Sequence, residues 1–111
     1  MEPPDPHDLQ ACLRYVRHLV EARQVQVSRH AQVEMDEEYF VVHDALMALG
    51  NGQVLENYPE HRRGPCCLIG GTANDERPLH VVCTTVRRPL IIITVYEPKP
   101  PQWTTPETRE R

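Results

Sequence analysis

The hydrophobic rhythm of the chain changes once, near residue 53. Before that point apolar residues recur every three or four positions, the spacing of a helix with one buried stripe. Leu9, Cys12, Leu13, Val16, Leu19 and Val20 make such a stripe over residues 8–23, with Asp5 or Asp8 as its N-cap. Val25 and Val27 alternate with Gln24 and Gln26, the pattern of a short extended link or an edge strand. Ser28 then reads as the N-cap of a short helix, RHAQVEMDEE. A third helix is predicted over residues 39–49, on the stripe Val41, Val42, Ala45, Leu46 and Leu49, and Gly50-Asn51-Gly52 stops it.

From Gln53 onward the period falls to two, and four strands are predicted at about 53–58, 66–72, 78–85 and 90–96. The links between them carry Pro59 to Pro65, Asn74-Asp75-Glu76 and Arg87-Arg88-Pro89. Links this short imply antiparallel hairpins. The predicted fold class is therefore α+β, with N-terminal helices on one face of a four-stranded antiparallel sheet. Simple hairpin registers set Gly70 against Gln53 on one side and His80 on the other, and set His80 against Thr94 with Tyr96 on the diagonal. Alternation then divides the sheet. Val54, Ile69, Leu79, Val81, Cys83, Ile91, Ile93 and Val95 are expected to face the helices. Gln53, Leu55, Asn57, Cys66, Leu68, His80, Val82, Thr94 and Tyr96 are expected on an open second face, with Gly70 leaving space beside His80. Glu56 and Tyr58 fall on the other side of their strand. Residues 1–7 read as a loose arm, 8–103 as one domain and 104–111 as a flexible tail, the end of the Pro-rich stretch PKPPQWTTPETRER.

Composition narrows the class. The chain has 111 residues, 40% of them hydrophobic, enough for one modest core. Its longest aliphatic run, Leu90 to Ile93, is strand-sized and far short of a membrane span. The segment MEPPDPHDLQ has neither the basic nor the apolar region of a secretory signal. Cys12, Cys66, Cys67 and Cys83 include no C-x-x-C pair and sit in apolar stretches, so they read as reduced core residues of a cytoplasmic protein. Nothing in the spacing calls for a metal or another cofactor.

Charge is uneven. Residues 1–60 hold four arginines against eleven carboxylates, whereas 61–111 hold eight cationic side chains against five. Eleven of the twelve basic residues are arginine, whose planar fork suits phosphate and carboxylate. Arg62, Arg63, Arg87 and Arg88 all fall in turns at the end of the sheet away from His80, where four guanidiniums could grip an RNA backbone. Solvated turn arginines are the plainer alternative.

An ordered set of short strings carries a family resemblance. "SRHAQVEM" is followed by "ALMALGNGQVLENYPEHRRGPCCLIGG", then "RPLHVV", then "IIITVYEP". Together, over roughly residues 27–103, they resemble the domain-of-unknown-function family 4258, which is related to RelE-like and BrnT-like bacterial toxins. The resemblance implies a RelE-like α+β fold. It also implies a toxin of a toxin-antitoxin pair, acting as a metal-independent endoribonuclease on RNA, ribosome-associated or free, and paired with a zinc-finger-type antitoxin. One departure stands out. The family pattern R-M-x-x-R after S-x-H-A is here Glu34-Met35-Asp36-Glu37-Glu38, with carboxylates at both arginine positions.

Metal-free RNA cleavage needs a base for the 2′-hydroxyl, a cation for the phosphorane and an acid for the leaving oxygen. His80 is the candidate base or acid, because an imidazole ordinarily titrates near pH 6.5. His30 is the second acid/base candidate if its helix reaches the sheet's edge. Arg77 would hold the phosphate, and Tyr96 would donate a proton or stack on a base. Each has a plainer role: a strand histidine bonded to Thr94, a helix-start residue, an ion-paired arginine, a packing tyrosine with a wet hydroxyl. There is no G-x-S-x-G, P-loop or H-E-x-x-H sequence. A second function class therefore stays open: a non-catalytic protein-binding module that engages its partner through the open sheet face.

Overall fold

The computed structural model describes residues 1–100 and 103–109. Its elements follow the rhythm of the sequence. Helix α1 spans Leu9–Glu21, capped by the Asp8 carboxylate, which accepts the Ala11 N–H at 3.0 Å. Strand β1 is Val25–Val27 and helix α2 is Arg29–Glu37. The Ser28 hydroxyl accepts the Ala31 N–H and also donates to the Ile93 carbonyl, so one side chain starts α2 and ties it to the last long strand. Helix α3 begins at Val42 rather than at 39 and runs to Asn51.

The reason for that late start lies at Tyr39. It has φ +61°, a left-handed conformation that costs an L-residue about 1 kcal/mol or more. The turn closes α2 with the Phe40 N–H on the Met35 carbonyl, a Schellman-type stop in which tyrosine stands where glycine is usual.

Strands β2 (Gln53–Tyr58), β3 (Cys66–Thr72), β4 (Pro78–Thr84) and β5 (Leu90–Tyr96) form the expected antiparallel meander. The sheet itself is not the four-stranded antiparallel one that the sequence suggested. It is five-stranded and mixed, in the order β1-β5-β4-β3-β2, because β1 pairs parallel with β5 through Val25–Leu90 and Val27–Ile92. A parallel partner needs no hairpin link, so no local signal announces it. Two further short strands, β6 (Trp103–Thr105) and β7 (Thr108–Arg109), make a separate hairpin.

Two bulges reset the faces. The β4–β5 register runs Val82–Thr94 and then Cys83–Ile92, leaving Ile93 as the extra residue. As a result Leu90, Ile92 and Val95 enter the core, while Ile91 and Ile93 are only half-buried. His80 consequently stands opposite Tyr96, not Thr94. In β2 the register shifts between Val54 and Glu56, which places Glu56 and Tyr58 opposite Leu68 and Cys66, on the face shared by His80. The core lies between the other face and the helices, built from Tyr15, Val16, Leu19, Met35, Leu49, Ile69, Val81, Ile92 and Val95 among others. No helix of the described residues is long and apolar enough to cross a membrane.

Candidate functional site: a cleft beside His80

His80 lies near the start of β4, opposite Gly70 on one side and Tyr96 on the other. Its side chain is on the face away from the helices, yet it is only 1% exposed. The covering comes from the chain's own C-terminal hairpin. His80 Nε2 is 2.5 Å from the Pro106 carbonyl, and Nδ1 is 3.2 Å from the Tyr96 hydroxyl. A carbonyl only accepts, so Nε2 carries the proton, and in the neutral ring Nδ1 accepts from Tyr96. The two rings also meet edge to face, with centroids 5.2 Å apart. The space expected beside Gly70 is filled: a Cβ at Gly70 would lie 2.6 Å from Leu55 Cδ1 and 3.4 Å from His80 Nε2.

Below this pair opens a cleft of about 680 Å³, between the ends of β2, β3 and β4 and the hairpin. Asn51, Gln53, Thr72, Glu76, His80 and Glu107 supply its polar lining. Among the described residues lining it are two carboxylates and no lysine or arginine.

The predicted site residues separate into three groups. His80 and Tyr96 come together. His30 is on α2, across the sheet from His80, with its side chain 68% exposed and 3.4 Å from Glu34. Arg77 also points to the helix side. Its guanidinium donates to the Glu38 and Tyr39 carbonyls at 3.1 and 3.0 Å, sits 3.9 Å above the Phe40 ring, and is 2.9 Å from Asp75. The Arg77 backbone N–H and then its side chain hold the Asp75 carboxyl below its usual pKa. Arg77 is thus a brace on the α2–α3 corner. Arg62, Arg63, Arg87 and Arg88 are exposed in the turns at the far end of the sheet, as expected. The β4 end of that turn lies four residues beyond His80, about 13 Å along the strand.

Three features of the site were not read from the sequence. Glu56 and Tyr58 reach the His80 face through the β2 bulge, where the Tyr58 hydroxyl donates to the Glu56 carboxylate. Pro106 belongs to a segment that the sequence presented as a tail. Glu34 and Glu38 have backbone partners: Glu34 Oε1 accepts the Val95 N–H at 2.9 Å, and Glu38 Oε2 accepts the Glu97 N–H at 3.3 Å. They close the edge of β5 beyond the reach of the three-residue β1. Burial raises the Glu34 pKa above its ordinary value, and the Val95 N–H and His30 offset part of that rise. The cysteines are all free and buried, and the Cys83 thiol is held well above the usual range by its contact with Cys67 and by burial.

No curated protein and no solved structure matches the chain, so the expected RelE-like fold finds no support there, and the mixed five-stranded sheet departs from it. The sequence match runs from the last residue of β1 through the end of β5, which includes His80, Tyr96, Arg77 and the Glu34 and Glu38 edge contacts. Residues 27–97 match the model of a domain of unknown function, DUF4258, and the chain belongs to that family.

Proposed function

We propose that this chain is a protein-binding module whose docking site is the cleft beside His80, and that it works without catalysis. The observation that carries this reading is the state of His80. Both ring nitrogens are bonded within the chain, one of them to the hairpin, and the described residues lining the cleft beneath offer carboxylates and amides but no lysine or arginine for a phosphate. A partner segment rich in N–H donors fits that lining. The cytoplasm is the compartment that suits four free, buried thiols.

A second reading rests on a specific contact. His80 and Tyr96 form an acid/base-capable pair, and four exposed arginines stand at the other end of the same sheet. On this reading the chain is a toxin, a metal-independent endoribonuclease restrained by a zinc-finger-type antitoxin. The hairpin would have to move before Nε2 could act.

Induced expression separates the two, with wild type beside His80→Ala and His30→Ala/His80→Ala and total RNA examined for fragments. The binding reading expects intact RNA in every strain. RNA fragments in the wild type that vanish with His80→Ala overturn it in favour of the nuclease.

A further inference from the structure

We infer that the exposed corner between α2 and α3 is a docking surface for a basic, partly apolar segment of another protein. Two independent oddities meet there. The first is Tyr39, whose side chain is 87% exposed although its backbone is in a left-handed conformation that glycine would adopt freely. Val33 and Val41, on either side of it in sequence, are 46% and 61% exposed. The second is charge. Asp36 and Glu37 are exposed in the last turn of α2, and that turn has no basic residue. Carboxylates at a helix C-terminus oppose the helix dipole, and the partner that Asp36 has there, the Gln32 amide at 3.1 Å, is uncharged.

The nearby cations are already committed. Arg77 is spent on the Glu38 and Tyr39 carbonyls, the Phe40 ring and Asp75, and Lys99 lies 3.8 Å from Glu38. The brace fixes the backbone that presents the Tyr39 ring to solvent. An exposed tyrosine that follows two exposed carboxylates in the chain, with exposed valines at 33 and 41, offers a cation both a π-face and counter-charges, and offers aliphatic side chains a dry contact. RNA is excluded by the same carboxylates. The surface is independent of the cleft beside His80, since α2 lies across the sheet from it.

The test is a titration of the isotope-labelled full chain, followed by NMR. The probes are a 14-residue amphipathic peptide of leucine and lysine, its lysine-to-glutamate counterpart, and spermidine. The lysine peptide is expected to bind saturably, with a Kd in the range of about 10–100 μM, and to shift resonances of residues 33–41. Asp36→Lys/Glu37→Lys and Tyr39→Gly should each weaken it by about tenfold or more. Tyr39→Gly should meanwhile melt above the wild type, because it relieves the backbone, which separates lost docking from lost folding. Shifts centred on the His80 cleft, binding unchanged in both variants, equal binding of spermidine, or a lowered melting point for Tyr39→Gly would each overturn the inference.

Discussion

At the scale of single residues, Glu34 shows how an unusual charge can find its partner far along the chain. The sequence marked it as a carboxylate where the family pattern has arginine. In the fold its carboxylate caps the Val95 N–H on the edge of β5. That partner lies 61 residues away, so nothing local could have shown it. Burial lifts the folded-state pKa above the ordinary 4.5. The folded carboxyl therefore keeps its proton to a higher pH than the unfolded one. Its contribution to stability is complete below about pH 4.5 and is lost as the pH rises through the folded value. Glu34→Gln keeps the acceptor and removes the charge. Chemical denaturation at pH 7 should find it more stable than wild type, with the gap closing toward pH 4. Glu34→Ala leaves the Val95 N–H without its acceptor and should cost about 1–3 kcal/mol at either pH.

At the scale of elements, helix positions, the meander and the Gln53–Gly70–His80 register were legible in the sequence. Period, caps and short links are local signals. The bulge at Ile93 was not. Three consecutive isoleucines carry no polar residue to mark which of them faces solvent, so the phase slips unseen. The left-handed Tyr39 was equally hidden, because the usual mark of such a stop is glycine. The α3–β3 junction makes a sharper test of packing. A Cβ at Gly71 would collide with the Ala48 carbonyl and come within 2.6 Å of Asn51 Oδ1, while one at Gly50 meets nothing within 4 Å. Thermal melts should show Gly71→Ala destabilised by about 1–3 kcal/mol. Gly50→Ala, inside α3, should gain about 0.5–1 kcal/mol.

At the scale of the whole molecule, the sequence placed His80 and Tyr96 on the second face of the sheet but left that face open. The cover is a hairpin from a stretch whose prolines read as a tail. Removing residues 100–111 should leave a cooperatively folding domain that melts a few degrees lower, about 1 kcal/mol. It should also turn His80 from protected to reactive toward diethyl pyrocarbonate, as read by peptide mass mapping. A cooperative truncated domain with His80 still protected would show that another part of the chain covers the ring. The β1–β5 ladder has a consequence in time rather than space. Ser28 bonds Ile93 across 65 residues, and Glu38 bonds Glu97 across 59. Contacts of such high contact order form late. During synthesis α2 must wait, its apolar stripe unsheltered, until the ribosome has released β5, so a nascent polypeptide stalled before residue 90 remains open to proteases and chaperones alike.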